Sequence, residues 1–594
     1  MASDAKLTNS TEEYTLMKIF TERAQFGIPY FQRPYKWGKK QIDRFIDDLS
    51  VVVDIEGESH FLGAIIMFER YTPLSLPTAY QIIDGQQRVT TCFLALAAIV
   101  KSYLDHGFED DALNLYNSTL IIPALQKGHP NSKLISCKTD RAALNAVFED
   151  LNTLGLSNGL GDNRFRPLGS DLKKEGAVWR NYGMLKKFFN KAYEESEKLS
   201  AGSGKETLDS YYASLMNHMT LVWIVVKDPT DGPKIFNSLN SKQEPMTIGD
   251  LVRNEVFSKI SNEPDAVVEM IDENHWRPFY EKFEQGDEQK GDKIFEQYFF
   301  PFALTLKNSV QKAGAFNFLR DRWAKEDDPA VIISELEQYQ DIYLDLCYGS
   351  SFTTGISDGI AKSLKSLNQM KAPNSIYPFV FQAVKAAQNS NIDVHNVEEM
   401  LHALESFLVR RGVCGYEPTG LHAVFKTLWS DCDGEYTASR MYHEIRRHAT
   451  VAWPDDQEFG REVVSRPLYK VKITPYLLAE WNAHLSGDVA IVSGVQIEHV
   501  LPDTLKHDSK WTSDWSEKEW KENKDCLANL LPLSQSLNGS IKNSDYAIKR
   551  ERYLQDSALK APRDFANTFG SWTPKDFDRR AEEMRVWCLQ RWDV

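Results

Sequence analysis

The spacing of apolar positions changes sharply around residue 84. Tyr80, Ile82 and Ile83 form a short aromatic and β-branched run that stops at Asp84-Gly85, the composition of a buried strand entering a turn. Beyond the glycine, Val89, Phe93, Leu96 and Val100 recur at intervals of four, three and four, which marks one face of an amphipathic helix. The same period predicts a helix over 39–54, carried by Ile42, Phe45, Ile46, Leu49 and Val53. Residues 60–67 read as a strand running toward the segment before Asp84, and 221–226 as a buried strand. Residues 11–24 read as a short helix. Residues 101–220 are expected to be mostly helical, interrupted by a polar Gly- and Asn-rich surface loop from 155 to 171. Amphipathic helices then repeat over 256–425, for example at 295–306, 331–346 and 397–413, with no catalytic constellation among them. That stretch reads as scaffold.

Length and charge narrow the class. A chain of 594 residues exceeds one hydrophobic core and predicts about three or four domains. Hydrophobic content of 42% is that of a packed globular protein. No apolar run approaches a membrane span and the first residues lack a signal peptide's apolar centre, so no membrane partner is expected. The seven cysteines form no C-x-x-C pair, which disfavours zinc ribbons and a disulfide framework and fits a reducing cytoplasm. A net charge of −15 argues against an unspecific nucleic-acid coat but not against a nuclease with uneven charge.

Two readings fit the turn at residue 84. The helix tip that follows has unpaired backbone N–H groups and the positive end of a dipole. Gly85 permits close backbone approach and Arg88 supplies a charge-assisted fork, so Asp84, Gly85, Gln86, Gln87 and Arg88 suit a phosphate. Alternatively, Asp84 only caps the helix and Arg88 pairs with it. Upstream, Ile28-Pro-Tyr-Phe-Gln-Arg-Pro-Tyr-Lys-Trp37 is held extended by Pro29 and Pro34. It presents Tyr30, Gln32, Arg33, Tyr35 and Trp37 either to a nucleotide or into an aromatic corner in which Arg33 meets a carboxylate.

Both segments resemble a known family. Asp84-Gly-Gln-Gln-Arg88 is similar to the signature of the DGQQR domain, and the Ile28 box to that domain's I-P-x-[YF]-Q-R-x-Y-x-W pattern. The domain has a ParB/sulfiredoxin-like fold and forms the front half of GmrSD-type modification-dependent restriction enzymes and SspE-like antiphage nucleases. The resemblance implies nucleotide binding and hydrolysis by Gln32, Arg33, Asp84, Gly85, Gln86, Gln87 and Arg88. A third segment, residues 235–254, matches the family at Asn240 and Asp250, so Asn240 joins the nucleotide set. Asn237, Lys242 and Gln243 depart from the family pattern, and Asp250 reads as a turn residue at the start of the next helix.

The C-terminal part carries Gln496-Ile-Glu-His-Val-Leu-Pro502, Leu527-Ala-Asn-Leu-Leu-Pro-Leu533, Leu537-Asn-Gly-Ser-Ile-Lys542 and Lys549 in that order. This resembles the HNH (ββα-metal) nuclease fused behind DGQQR domains. Phosphodiester hydrolysis needs an activated water and a cation at the leaving oxygen. His499 can take the proton, while Glu498 and Asn538 offer oxygen ligands to magnesium or another divalent ion. Asn529 would hold the imidazole, and Lys542 or Lys549 would neutralise phosphate.

The fold class expected is α+β and mostly helical: a ParB/sulfiredoxin-like DGQQR sensor over 1–255, a helical linker over 256–425 and an HNH nuclease domain over 426–594. The function expected is a cytoplasmic, modification-dependent antiphage restriction endonuclease, regulated by a nucleoside triphosphate and acting on modified phage DNA. A homodimer is compatible with it. The rivals are a nucleotide- or DNA-binding sensor without cleavage and an RNA-cutting defence nuclease.

Overall fold

The computed structural model describes residues 8–593 apart from 30–31, 33, 56, 124, 126–128, 153–164, 167–168, 170, 228–246, 261–262, 264, 449, 488–493 and 506–508. It is mostly helical α+β. The chain forms two compact units, residues 1–278 with 323–332, and residues 279–322 with 333–594. Among the described residues no helix is long and apolar enough to cross a membrane.

The first unit is built on one mixed sheet. Its strands are β1 (Thr8–Thr15), β2 (Ala24–Gly27), β3 (His60–Arg70), β4 (Thr78–Asp84), β5 (Leu134–Ile135) and β6 (Met219–Val226), in the order β1-β6-β3-β4-β2-β5. β3 and β4 pair antiparallel, with Ile66 opposite Asp84. β2 runs parallel to β4, and β6 parallel to β3. Against the sheet lies the Gln86–Asp105 helix, buried without a break from Val89 to Leu104. A helix apolar all round belongs inside a core, and this one is packed by the helices Gly176–Leu199, Lys138–Asn152 and Ser203–His218. Phe26 and Tyr80 stack on each other and both meet Trp223 edge-on, with ring centroids 5.5 and 5.1 Å from the tryptophan, and so tie β6, β2 and β4 into one core.

The helix expected over 11–24 is shorter than its pattern suggested. Thr8–Thr15 is a strand paired antiparallel with β6, and only Leu16–Thr21 is helical, capped by the Thr15 hydroxyl. Threonine-rich sequence suits a sheet edge, and cross-strand pairing overrides a weak helical period. The two-residue β5 had no sequence signal. The helix expected over 331–346 is two helices, Pro329–Glu337 and Gln340–Tyr348. The break leaves Gln340 fully buried, donating to the carbonyl of Phe279. Most of the loop expected over 155–171 lies outside the described residues.

The second unit is helical around one hairpin. β7 (Val495–His499) pairs antiparallel with β8 (Leu530–Ser534), and the Gln535–Ile541 helix follows at once, its first turn capped by Ser534. The hairpin packs into a core of Val500, Leu501, Leu531, Leu533, Tyr553, Phe565 and Trp572. The helices Thr474–Ser486, Tyr546–Asp556 and Pro574–Arg591 surround it.

Candidate functional site

Each unit brings its sequence motif to the end of a strand, and each uses it differently. In the first unit, Gly85 turns the chain with φ at 93°, the left-handed region that costs glycine least. A Cβ there would stand 3.1 Å from both the Ala64 carbonyl oxygen and the Ile65 Cα. Gln87, one residue into the helix, turns back on the Ile28 box. Its Oε1 accepts from Lys36 N at 2.9 Å and Trp37 N at 3.2 Å, and its Nε2 donates to Pro34 O at 3.3 Å. Gln32 does the converse, donating to the carbonyls of Ile82 and Ile83 at 2.9 and 3.2 Å. Arg88 donates to Ala64 O at 2.9 Å and lies 3.7 Å from the Asp84 carboxylate.

Tyr35 is buried as well, its hydroxyl bonded to Thr91 and to Asn181, whose amide also holds Trp37 O. Burial pushes the Tyr35 phenol up to about 12. The two motifs are therefore clipped to each other by hydrogen bonds between side chains and backbone. Gln86 lies in the first helical turn, half-buried. Arg33, Asn237, Asn240, Lys242 and Gln243 lie outside the described residues. Asp250 sits inside the first turn of the Ile248–Ser258 helix, and Thr247 is the residue that caps it.

In the second unit the strand itself divides the motif. Side chains alternate across a strand, so Glu498 and His499 leave β7 in opposite directions. Glu498 is buried, and its Oε1 accepts from Lys549 Nζ at 2.7 Å and from the Tyr553 hydroxyl at 2.9 Å. Burial raises the Glu498 pKa, against the pull of Lys549, and burial lowers that of Lys549. Lys549 is fully enclosed and also donates to the His499 carbonyl at 2.5 Å. It is a backbone anchor, where a phosphate-neutralising role had been expected, because a solvent-borne phosphate has no route to it. Lys542 is exposed and ends the Gln535–Ile541 helix.

His499 faces a different set. Its Nε2 is 2.9 Å from Asp525 Oδ1, and its ring lies 4.0 Å, centroid to centroid, from Tyr469. Burial lowers its pKa, while Asp525 pulls the other way. Asp503 completes the group: one ligand atom from each of His499, Asp503 and Asp525 lies within 4.8 Å of the others. Lys524 Nζ bonds Asp503 and stands 3.9 Å from Asp525 Oδ2, and that bond, ahead of other causes, depresses the Asp503 pKa. The carboxylates around His499 are therefore Asp503 and Asp525, and Glu498, expected from sequence as an oxygen ligand, is engaged instead by Lys549 and Tyr553. Asn538 donates weakly to Gln496 Oε1 and Ile497 O, both at 3.3 Å.

Asn529 does not touch the imidazole. Fully buried, it accepts from Leu501 N at 2.7 Å and donates to the carbonyls of Leu501 and Lys524. Its effect is to fix the chain just beyond His499 and just before Asp525.

Comparison with known families decides what these units belong to. A model of the GmrSD restriction endonuclease N-terminal domain matches residues 16–257, and one of the C-terminal domain matches residues 453–587. The chain belongs to the GmrSD-type restriction endonucleases. A search of curated proteins returns no match. Within this restriction endonuclease, the N-terminal match spans the Ile28 box and the Asp84 turn, and the C-terminal match spans Tyr469, His499, Asp503 and Asp525. The last two carboxylates were missed from sequence because neither is part of the motif. One partial signal existed: period-two alternation forbids adjacent residues of a strand from sharing a pocket.

Proposed function

We propose that this GmrSD-type enzyme cuts DNA phosphodiesters at His499, in a ββα-metal arrangement formed by β7, β8 and the Gln535–Ile541 helix. The observation that carries the proposal is the 2.9 Å contact between His499 Nε2 and Asp525. An Nε2–H donated to the carboxylate leaves the lone pair on Nδ1, where among the described residues no hydrogen bond is made. Nδ1 then takes a proton from a water whose oxygen forms the new bond to phosphorus. The bond from phosphorus to the leaving deoxyribose oxygen breaks, and that oxygen is protonated from solvent.

Asp503 and Asp525 fit a hard divalent cation such as magnesium, which takes one or two carboxylates and keeps several waters. Their surroundings already accommodate positive charge, since the Lys524 ammonium sits against both. A cation bound there would stabilise the charge that develops on the phosphate and the leaving oxygen. Asp525 thus orients the imidazole through one oxygen, and its second oxygen would be available to hold the cation.

The front half, a ParB/sulfiredoxin-like domain in this reading, senses a modification on phage DNA and binds and hydrolyses a nucleoside triphosphate at the Gly85 helix tip. The positive end of the Gln86–Asp105 helix supports this, with Arg88 held beside it. The proposed division is a sensor over 1–255, a linker over 256–425 and a nuclease over 426–594, acting in the cytoplasm.

The test is cleavage of modified and unmodified phage DNA with magnesium, with and without each triphosphate, by wild type and His499→Ala. Cutting by wild type and none by the variant is expected, and equal cutting by both would remove the site. For the front half, Arg88→Ala or Asp84→Ala should abolish triphosphate hydrolysis in a folded protein. Unchanged turnover would end the phosphate argument.

A further inference from the structure

Beside His499 runs a segment that no catalytic motif includes, Arg466-Pro-Leu-Tyr-Lys-Val-Lys472. It has the composition of a nucleic-acid contact, an aromatic ring set among basic side chains. Its backbone is fixed to the nuclease centre at two points. Pro467 forms a bridge with Cys526, and the Asp525 carbonyl accepts from Leu468 N at 2.7 Å and Tyr469 N at 3.2 Å. The residue that holds the imidazole through its side chain therefore holds this segment through its backbone.

The consequence is a defined placement of side chains. Leu468 is buried and anchors the segment, Tyr469 is half-buried, and Lys470 and Lys472 are exposed. One part of the Tyr469 ring rests on His499, tilted by 54°, and the rest stays open to solvent. Among the described residues its hydroxyl makes no hydrogen bond, so the ring is not there to satisfy a buried polar group. Lys470 directly follows the tyrosine whose ring touches His499, and its side chain is exposed. The molecule as a whole carries −15, so a polyanion needs local positive charge to settle at this one place.

We propose that the Arg466–Lys472 segment is the substrate-strand contact of the nuclease: Tyr469 packs against the nucleoside flanking the scissile phosphate, and Lys470 and Lys472 grip the adjoining phosphates. This rests on the reading of His499 as the cutting residue and adds the element that brings DNA to it. Tyr469 acts through substrate, and its contact with the imidazole sets the distance between the bound strand and the base.

The experiment uses the full chain and separates binding from cutting. Binding of a fluorescein-labelled DNA duplex is followed by anisotropy in EDTA, across a salt titration, for wild type, His499→Ala, Tyr469→Phe, Tyr469→Ala and Lys470→Ala/Lys472→Ala. Cleavage is then measured with magnesium. Tyr469→Phe should match wild type, and Tyr469→Ala should bind about tenfold more weakly. The double lysine variant should lower the slope of log affinity against log salt by about 2. In cleavage, Tyr469→Ala should raise KM more than it lowers kcat.

Wild-type affinity and salt slope in both sets of variants would overturn the proposal, as would a Tyr469→Ala defect confined to kcat, the mark of a purely structural support for His499. No binding of the duplex by wild type at low salt would overturn it too. Failure of the nuclease reading looks different, because His499→Ala would then cut like wild type whatever the loop variants do.

Discussion

The two strand ends start from similar material and spend it in opposite ways. At the end of β4, polar side chains turn inward: Gln32 donates to the Ile82 and Ile83 carbonyls, Gln87 bonds the backbone of Pro34, Lys36 and Trp37, and Arg88 reaches the Ala64 carbonyl. At the end of β7, the pleat sends Glu498 into the core and His499 toward a half-open pocket with Asp503 and Asp525. A turn after a glycine lets several consecutive residues converge on one neighbour. A strand cannot do this, so its catalytic partners must come from elsewhere in the chain. The difference teaches where to look for missing members of a motif: beside it in the first case, across the hairpin in the second.

The sharpest way to break this contrast is at His499. On the proposed role of His499 as the base, His499→Ala should reduce DNA cleavage by about 10²- to 10⁴-fold with DNA binding retained. Measured kcat within a few-fold of wild type would make both strand ends scaffold. Asp525→Asn should fall less, by about 10- to 100-fold, because it keeps an oxygen to accept from Nε2 but loses the charge. Adding chelator to wild type should be at least as damaging as Asp525→Asn.

On the buried face the expected loss is stability. Lys549→Ala leaves the Glu498 carboxylate enclosed without its cation, and removing one partner of a buried pair costs about 3–5 kcal/mol. The double variant Glu498→Met/Lys549→Met should be more stable than Lys549→Ala, because no isolated charge remains. Urea unfolding followed by tryptophan fluorescence reads this directly, since Trp572, Trp511 and Trp515 lie in the same core. A double variant less stable than the single would mean that the pair itself, and not its desolvation, holds the hairpin.

How much of this was legible before the fold was known depended on range. The helices Lys39–Asp54 and Gln86–Asp105 showed in the spacing of Ile42, Phe45, Leu49 and of Val89, Phe93, Leu96, because a long period averages out local noise. β1 was hidden because its pairing with β6 joins residues more than two hundred positions apart. His499 was legible as a candidate from its own chemistry and its motif. Asp525 was not, since its contact with the imidazole depends on how β7, β8 and the chain before β8 are registered. The Glu498 assignment followed residue type and neglected the pleat, which turns it toward Lys549 and Tyr553. Lys549 was expected to neutralise phosphate, and its burial shows it bonded instead to Glu498 and the His499 carbonyl.

A smaller effect belongs to Gly85→Ala. A side chain there faces both a strained backbone, with φ at 93°, and contacts of 3.1 Å with Ala64 and Ile65. Backbone strain of this kind costs about 1–3 kcal/mol, read as a lower urea midpoint for the first unit. A midpoint unchanged by the substitution would show that the turn is looser than its close contact with β3 implies.

The smallest expected effect separates the two meanings of the Gln87 side chain. As a clip, it gives an acceptor to two backbone amides, Lys36 N and Trp37 N, and a donor to Pro34 O. Gln87→Ala should cost about 1 kcal/mol, the low end for a lost acceptor, since the Lys36 bond is exposed and water can replace it. Gln87→Glu keeps an acceptor for both amides and loses only the long bond to Pro34 O, so its stability should stay close to wild type. The two variants diverge if the residue also meets a triphosphate, because a carboxylate repels phosphate where an amide does not. Triphosphate hydrolysis lower in Gln87→Glu than in Gln87→Ala, against the order of their stabilities, would make the helix tip a ligand site as well as a clip. Hydrolysis that follows stability in both would leave Gln87 a clip alone, and the first strand end would then differ from the second in having no side chain committed to chemistry at that position.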